Sequence, residues 1–272
     1  MIRNSFSRYF HVLILALLTV GSAPVSAAPN ASVKKQLQAD INGSWRAPEN
    51  RARDKYRHPL QTLMFFGVKP DSTVIELIPG NKLWYAEILA PFLHDHGHYI
   101  AANQKSNSED TGQKDRMAME HAQFDKAEVR EFDFNAPDFG PPDSADFFLT
   151  FRNVHNFAMN HKEDALFAAI YKVLKPGGVL GVVDHRAADG KTLDEVLKSG
   201  YLPQPFVVAA AEKAGFKLVA TSDVNRNHKD NTDHPKGVWT LPPTLREGDK
   251  DREKYLTIGE SDRFTLKFVK PK

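Results

Sequence analysis

Apolar and polar positions alternate along the chain from about residue 73 in a pattern that predicts strands and helices in turn. Short runs rich in β-branched and aromatic residues predict strands, whereas apolar residues three or four positions apart predict helices between them. The predicted strands are Thr73–Ile78, His98–Ala102, Ala127–Phe132, Phe147–Phe151, Val179–Val183, Lys217–Thr221 and Phe264–Val269. This alternation favours an α/β fold, in which helices cover both faces of a mostly parallel seven-stranded sheet. Because apolar and polar residues alternate in the last run, we expect that strand to be antiparallel.

Helix signals are clearest before the fifth predicted strand. An apolar stripe at helical spacing consists of Leu166, Ile170, Val173 and Leu174. Asn160 is predicted to cap this helix, because Glu163 follows three residues later as in a capping box. The Lys-Pro-Gly-Gly turn at 175–178 is predicted to end it, since proline cannot continue a helix and glycine accepts a positive φ. Further helices are predicted around Trp84–Phe92, Lys114–Phe124 and Pro205–Ala214.

Two segments lie outside the strand and helix alternation. Residues 28–67 are predicted to form an N-terminal helical segment, with Leu60, Leu63 and Met64 on one face. Residues 68–272 then form the α/β domain, and within it 222–262 is poor in apolar residues and rich in Asp, Asn, Lys and Pro. We expect 222–262 to be a long excursion between the last two strands, and loops of this length are usually functional or mobile.

The first 27 residues have the layout of a secretory signal peptide. Two arginines, Arg3 and Arg8, precede an apolar run from Val12 to Val20, and small residues follow up to Ala27. The apolar run is shorter than the roughly 20 residues that a membrane-spanning helix needs. We therefore expect cleavage near Ala27, no stable membrane span afterwards, and a periplasmic or secreted protein.

Charge and composition narrow the classes of partner. The 272 residues carry 36 Lys and Arg against 34 Asp and Glu, a formal net charge of +2. So small a charge gives no reason to expect nucleic acid or an anionic membrane surface as a partner. The chain has no cysteine, which excludes disulfides, thiolate metal sites and cysteine nucleophiles.

Polar side chains follow the predicted strands at the points where the strands end. Ligands of open α/β sheets bind beyond the carboxyl ends of the strands, where the strand order reverses. The residues found there are Pro79, Gly80 and Asn81, then Asn103 and Gln104, then Asp133 and Phe134, then Arg152, Asn153, His155 and Asn156, and finally Asp184 and His185. A purely structural sheet would need turn residues at these ends, but not arginine and two histidines after buried apolar runs.

The order of these motifs resembles that of class I S-adenosylmethionine-dependent methyltransferases. The resemblance rests on Glu76-Leu-Ile-Pro-Gly80 after the first strand, Asp133 after the third, Arg152-Asn-Val-His-Asn156 after the fourth, and Leu174-Lys-Pro-Gly-Gly178 before the fifth. More narrowly, 53–59 and 262–264 are similar to a group of exported bacterial proteins described as predicted methyltransferases. The resemblance covers about residues 50–272 and implies a Rossmann-like, doubly wound sheet.

The resemblance also implies roles toward S-adenosylmethionine as the cofactor. Pro79 and Gly80 would let the backbone approach its amino-acid end, near the acidic Glu76. Asp133 would accept a hydrogen bond from the adenine amino group, and Phe134 would supply an apolar face. Asn103, where the family usually has an acid for the ribose hydroxyls, and the pair Arg152 and Asn153 complete the set of candidate cofactor residues. Capping and turn formation are the structural alternatives for all of these positions.

The candidates for the methyl acceptor side are His155, Asn156, Asp184, His185, His58 and Tyr56. His155 is the first choice as general base, because imidazole titrates near neutral pH. Asp184 could orient His185, although adjacent residues at a strand end usually point apart. The acceptor expected is a small molecule or an envelope component; the sequence specifies neither its identity nor the oligomeric state.

Other functions compete with methyl transfer. The loop Asn81-Lys82-Leu83 lacks the family's glycines, which favours a catalytically silent exported protein that binds another ligand in the same crevice. A nicotinamide oxidoreductase is disfavoured, because no Gly-x-Gly-x-x-Gly follows the first strand.

Two further groups of side chains have alternative interpretations. The alternating histidines of 94–98 are residues that can bind a metal ion. They link a predicted helix to a predicted strand, however, where exposed polar residues are usual. We therefore predict no metal site there. Arg51, Arg53 and Arg57 suit a solvated helix face, with an anion contact as the functional alternative.

Overall fold

A computed structural model of the chain describes Met1 and residues 27–105 and 121–272. Its centre is a seven-stranded sheet of order β3-β2-β1-β4-β5-β7-β6. The strands are β1 (Thr73–Leu77), β2 (His98–Gln104), β3 (Glu128–Phe132), β4 (Ala145–Phe151), β5 (Leu174–His185), β6 (Lys217–Ser222) and β7 (Arg263–Val269). Every predicted strand is therefore confirmed. The predicted signal peptide and most of the helix predicted at Lys114–Phe124 lie outside the described residues.

The pairing of the strands fixes where the carboxyl ends meet. β1 pairs in parallel with both β2 and β4, β2 with β3, and β4 with β5. β7 lies antiparallel between β5 and β6, which confirms the expected direction of the last strand. The chain winds outward in one direction from β1 through β2 to β3, and in the other from β4 to β5. The strand order thus reverses between β1 and β4, and this is where such sheets bind ligands.

Eleven helices are described in the two ranges. They are α1 (Ala27–Ile41), α2 (Pro48–Arg51), α3 (Asp54–Arg57), α4 (Pro59–Phe66), α5 (Ala86–Leu93), α6 (His121–Phe124), α7 (Val154–Ala158), α8 (Glu163–Val173), α9 (Leu193–Val196), α10 (Gln204–Lys213) and α11 (Arg252–Ile258). Short 3₁₀ turns occupy Leu197–Ser199 and Gly237–Thr240. No helix within these two ranges is long and apolar enough to cross a bilayer.

The sheet separates two hydrophobic cores. Ile75 and Leu77 of β1 point into the core that α7, α8 and α10 cover, whereas Val74 points into the core under α1, α4 and α5. Leu63 is fully buried in the second core, and Leu60 and Met64 pack against it, as predicted from their shared face. With helices on both faces, the sheet is doubly wound, as expected.

Of two local predictions before β5, the cap is wrong, whereas the end of the helix is confirmed, since α8 stops at Val173 and Gly177 has a positive φ of 83°. Helix α8 begins at Glu163 with Lys162 at its N-cap. Asn160 instead donates a side-chain hydrogen bond back to the carbonyl of Asn156 at 2.8 Å, so its amide is used by the preceding turn. The segment 175–178 belongs to β5 rather than to a turn after the helix, because Gly177 and Gly178 pair with the backbone of Lys270 beyond β7.

The N-terminal segment holds the loop that follows β1. The side chain of Asn50 donates to the carbonyl of Lys82 at 2.7 Å, and the indole of Trp84 donates to the carbonyl of Asn50 at 2.8 Å. Trp45 donates to the carbonyl of Glu87 at 2.9 Å. The helices before the sheet therefore fix the conformation of a loop at the carboxyl edge.

Candidate active site

A pocket of about 270 Å³ opens at the carboxyl ends of β4 and β5, and we call it the strand-end pocket. One side consists of residues that directly follow or end these strands: Arg152, His155, Asn156 and His185. The excursion between β6 and β7 supplies the other side, including Trp239, Glu260 and Ser261. The long excursion thus covers one end of the sheet, which is the functional placement expected for a loop of this length.

His155 and Asp184 form a hydrogen-bonded pair beside the pocket. The Nδ1 atom of His155 lies 2.9 Å from Oδ1 of Asp184, and both side chains are almost completely buried. Asp184 also accepts the backbone N–H of His155 at 3.2 Å and of His185 at 2.8 Å. A proton on Nδ1 of His155 donates to Asp184 in this contact, which leaves Nε2 of His155 to accept a proton. Asp184 therefore orients His155, and not His185.

His185 is the second imidazole of the pocket. Its Nδ1 lies 2.5 Å from the Oγ of Ser261, and its ring centre lies 5.0 Å from that of His155. Burial lowers the pKa of His185 well below its ordinary value, and the neighbouring His155 and Arg152 lower it further. His185 is consequently neutral at physiological pH and can donate or accept a single hydrogen bond.

Three arginines surround the carboxylate of Glu260 at the base of the pocket, and we call this group the arginine cluster. Arg53 contacts Glu260 at 2.7 Å, and Arg57 and Arg263 each contact it at 3.2 Å. Burial alone would raise the pKa of Glu260, but the surrounding guanidinium groups outweigh burial and hold it well below its ordinary range. The carboxylate is therefore ionised at neutral pH.

Arg152 stands apart from this cluster. It adopts a left-handed backbone conformation with φ of 62° directly after β4, and its side chain lines the strand-end pocket. Its guanidinium makes no hydrogen bond or ion pair with any residue in the described ranges. Burial lowers the pKa of Arg152, and Arg57 lowers it further. Backbone strain at a non-glycine residue is most often found at functional sites.

The residues that follow β1 and end β2 lie on the same carboxyl edge of the sheet. Gly80 has φ of 71°, and no atom lies within 4 Å of the place where a Cβ would stand, so its backbone is open to a ligand. Asn103 ends β2 with its Oδ1 atom buried and without a hydrogen-bond partner among the described residues. Leu83 is buried in the core and Lys82 is exposed, with its Nζ 3.9 Å from Glu49. The side chains of Lys82 and Leu83 therefore do not fill the open space beside Gly80.

Ile78 begins the loop after β1, the loop in which the family's glycines are missing. It has φ of 44°, in the left-handed region that a β-branched residue rarely adopts. The loop thus keeps a left-handed turn at a position that is not glycine. The strain resides in the backbone at the switch point itself.

Asp133 and Phe134 lie at the end of β3, on the same carboxyl edge. Asp133 is exposed and accepts the backbone N–H of Asn135 at 2.8 Å, which is the turn-forming role considered for it above. The ring of Phe134 stacks on that of Phe157, with centres 4.3 Å apart. Its packing gives this end of the crevice an apolar surface.

Glu76 and Asn153 lie below the crevice. Tyr99 donates a hydrogen bond to Glu76 at 2.7 Å, and burial raises the pKa of Glu76 to about 8 even though this bond lowers it. The amide of Asn153 donates to the carbonyl of Leu77 at 2.8 Å and so ties β4 to β1 at the switch point. Both residues shape the crevice rather than line the strand-end pocket.

Tyr56 and His58 lie behind the arginine cluster. The carbonyl of Tyr56 accepts a hydrogen bond from Arg263 at 2.6 Å, and its ring packs against Gly259. His58 links α3 to α4 with φ of 43°, and burial, together with Arg263, lowers its pKa. Neither residue lines the strand-end pocket, although Arg263 connects both of them to it.

Three side chains near the pocket could in principle hold a metal ion. His155, Asp184 and His185 each offer a ligand atom, all within 4.8 Å of one another. The oxygens of Asp184 already accept three N–H groups, however, and the adjacent arginines oppose a cation. Elsewhere, His94 contacts Asp95 and Asp125, and His98 contacts Glu128, as exposed surface pairs.

Sequence reasoning missed part of the pocket. Trp239, Glu260 and Ser261 come from the excursion, and only the length and composition of 222–262 indicated that it would carry function. Arg263 was noted only as part of a motif, yet it binds Glu260. The sequence alone did not show these contacts, because they depend on which segments of the chain lie next to each other in the folded protein.

Comparisons with known proteins show which solved structures have a similar fold. No family model matches the sequence, and no curated protein is significantly similar to it. A methyltransferase from Aquifex aeolicus that depends on S-adenosylmethionine matches with a TM-score of 0.56 and 16% identity, over 89% of this chain and 98% of that one.

Two further structures have a similar architecture. A putative sarcosine dimethylglycine methyltransferase from Galdieria sulphuraria matches with a TM-score of 0.59 and 14% identity, over 82% of this chain and 88% of that one. The [4+2]-cyclase SpnF matches with a TM-score of 0.55 and 17% identity, over 90% and 95%. The chain therefore has the Rossmann-like fold of S-adenosylmethionine-dependent methyltransferases, a fold that also carries other chemistry.

Proposed function

We propose that this protein transfers a methyl group from S-adenosylmethionine to an oxygen or nitrogen atom of a small acceptor bound in the strand-end pocket. One observation carries the proposal. The switch point between β1 and β4 separates an open backbone at Gly80 from a buried His155–Asp184 pair. In this proposal the methyl donor would lie beside Gly80, and His155 would accept the proton on the other side of the switch point.

The residues after β1, β2 and β3 fit the proposed cofactor. The buried Oδ1 of Asn103, which has no partner among the described residues, is suited to a ribose hydroxyl. Gly80 and Pro79 would lie along the amino-acid end, and Asp133 and Phe134 would hold the adenine by a hydrogen bond and an apolar face. When bound, S-adenosylmethionine supplies an electrophilic methyl group on a positively charged sulfur.

The residues after β4 and β5 would prepare the acceptor. The acceptor atom must lie about 3–3.5 Å from the methyl carbon and in line with the sulfur–carbon bond. The acceptor's lone pair would form a bond to the methyl carbon while the sulfur–carbon bond breaks and S-adenosylhomocysteine leaves, and His155 Nε2 would take the proton that the hydroxyl or amine loses. Asp184 keeps His155 in the required tautomer, and the neutral His185 and Asn156 are placed to orient the acceptor.

A second candidate function, a catalytically silent binding protein, is the alternative suggested by the loop after β1, which has Asn81, Lys82 and Leu83 instead of glycines. Ile78 has φ of 44°, where a glycine would be unstrained, and its side chain packs against the core. A catalytically silent protein that binds another ligand in this crevice would tolerate such a change more readily than an enzyme.

Calorimetry on the full chain distinguishes these two functions. We expect S-adenosylmethionine and S-adenosylhomocysteine each to bind with one site per chain. Absence of heat with either compound at millimolar concentration would exclude methyl transfer and favour the silent binding protein.

We also propose that the protein works outside the cytoplasm. The support is the layout of residues 1–27 and the absence of cysteine. Fusion of residues 1–30 to a phosphatase that folds only in the periplasm measures this directly. Activity of the fusion is expected, and replacing Leu15 and Leu17 by arginine should abolish it; an inactive unmodified fusion would contradict export.

A further inference from the structure

Arg152 is the only guanidinium of the described pocket lining, and nothing described pairs with it. The nearby arginines differ in this respect. Arg53, Arg57 and Arg263 share Glu260, and Arg186 lies 3.0 Å from Asp223 and 3.4 Å from Asp262. A half-buried guanidinium loses part of its hydration, and this loss is normally offset by a carboxylate or another acceptor.

The surroundings of Arg152 are rich in positive charge. Arg53, Arg57 and Arg263 all lower the pKa of Arg152 electrostatically, whereas Glu260 raises it. Asp262 also acts on Arg263, but it pairs with Arg186 at 3.4 Å. In addition, the Nη2 atoms of Arg53 and Arg57 are buried without hydrogen-bond partners among the described residues. Arg152, Arg53, Arg57 and Arg263 repel one another, and Glu260 is the carboxylate that forms ion pairs with three of them. An anion in the pocket would reduce that repulsion.

The backbone of Arg152 adds a second cost. With φ of 62°, the residue occupies a conformation that glycine would adopt without strain. An arginine at this position lowers the stability of the protein through its backbone conformation and through repulsion by the neighbouring arginines. Costs of this kind are usual where a ligand supplies the compensation.

The size and walls of the pocket limit the ligand. A volume of about 270 Å³ lies below the roughly 300–1,000 Å³ of pockets for drug-sized molecules. Trp239 and Pro242 supply apolar surface on one wall, and His155 and His185 supply hydrogen-bonding groups on another. A small ligand, or the end of a larger one, could therefore contact Arg152 and His155 together.

We propose that the strand-end pocket binds an oxyanion, carboxylate or phosphate, through Arg152, and that this anion belongs to the methyl acceptor. The proposal that Arg152 binds an anion is argued from the structure alone. The proposal that this anion is part of the methyl acceptor rests on the function proposed above. The acceptor is thus a small anionic molecule or the anionic end of an envelope component, with its reacting hydroxyl or amine beside His155.

Thermal unfolding and calorimetry of the full chain with inorganic phosphate or acetate test the binding, at constant ionic strength set with sodium chloride. We expect at least one of these anions to raise the Tm of the wild type. Arg152→Gln should have a higher Tm than the wild type without ligand, because the repulsion among the guanidinium groups is reduced, and should bind the anion about tenfold more weakly or worse. Arg51→Gln, an exposed matched control, should behave as the wild type.

The outcomes separate the parts of the proposal. Equal anion binding by wild type and Arg152→Gln, or none by the wild type, would overturn it. Saturating S-adenosylhomocysteine should leave anion binding in place; competition would assign Arg152 to the cofactor's own carboxylate and overturn the assignment to the acceptor. Anion binding by a protein that binds no S-adenosylhomocysteine would keep the anion site and reject methyl transfer. A stronger response to phosphate than to acetate would identify a phosphate-bearing ligand, and the reverse a carboxylate.

Discussion

His155 Nδ1 and Asp184 Oδ1 lie 2.9 Å apart across 29 positions of sequence, joining the first turn after β4 to the end of β5. The contact is nearly free of water, because Asp184 is completely buried and His155 almost so. A carboxylate held in this way fixes both the tautomer and the orientation of the imidazole. It gives the pocket one nitrogen, Nε2 of His155, that can take a proton.

Asp184→Asn should remove this control of the tautomer. If His155 is the general base, we expect kcat for methyl transfer to fall about a hundredfold or more at pH 7. Binding of S-adenosylhomocysteine should stay within a factor of about two, and the exposed Asp189→Asn should be as active as wild type. Kinetics and calorimetry on these proteins measure both quantities, and an active Asp184→Asn would refute the role of the pair.

The buried Glu76 makes stability depend on pH. Its pKa is raised from 4.5 to about 8, so between these values the folded chain holds a proton that the unfolded chain releases. Its contribution is complete below pH 4.5 and decreases up to about pH 8, by at most about 1.4 kcal/mol per pH unit. Glu76→Gln retains an acceptor for Tyr99 and should lose this dependence.

Urea unfolding between pH 5 and 9 measures the effect of Glu76→Gln against wild type. The advantage of the variant should grow with pH and level off near pH 8. The exposed Glu212→Gln should run parallel to wild type. A constant difference between Glu76→Gln and wild type over this range would contradict a raised pKa.

Glu260 should be among the most sensitive positions for stability. Glu260→Gln leaves Arg53, Arg57 and Arg263 without their shared carboxylate in a buried place. We expect a loss on the order of 3–5 kcal/mol in the free energy of unfolding, since breaking a buried ion pair leaves an uncompensated charge. Glu253→Gln on the exposed side of α11 should change stability by less than about 0.5 kcal/mol. Denaturant titrations with unchanged slope would give both values; equal effects of the two changes would show the cluster to be unimportant.

Asn103→Asp tests the proposed ribose contact. A carboxylate accepts hydrogen bonds from hydroxyls more strongly than an amide, so we expect S-adenosylhomocysteine to bind about tenfold more tightly. The protein without ligand should be less stable, because the Oδ1 position is buried without a described partner. Gln104→Glu, one residue further and exposed, should leave affinity unchanged. Affinity that is unaltered or weaker in Asn103→Asp would place the ribose elsewhere.

The sheet could be predicted from the sequence because its signals are local. Each strand is a short apolar run bounded by turns, and the burial of Phe147–Phe151 or Val179–Val183 follows from composition alone. The extension of β5 back to Leu174 was missed, since it depends on pairing of Gly177 and Gly178 with Lys270, far along the chain. The cap of α8 was missed because the amide of Asn160 has a nearer partner.

The candidate site was only partly predictable. His155, His185 and Arg152 follow buried strands, so topology alone brings them to one edge. That Asp184 orients His155 depends on how α7 packs beside β5, which no sequence spacing encodes. Tyr56 and His58 belong to the support of the arginine cluster, and the contact of Arg263 with the carbonyl of Tyr56 requires the tertiary structure.

The contact between Arg53 and Glu260 spans 207 positions of sequence and forms the base of the strand-end pocket. A nascent chain emerging from the ribosome can pair β1 with β2 and β4 long before Glu260 has been synthesised. The strand-end pocket is therefore completed only after β1 to β6 have been synthesised, because Glu260 follows all six of these strands in the sequence. A chain that ended between β5 and Glu260 would contain β1 to β5 together with Arg53, Arg57 and Arg152, but would lack the carboxylate that these guanidinium groups surround.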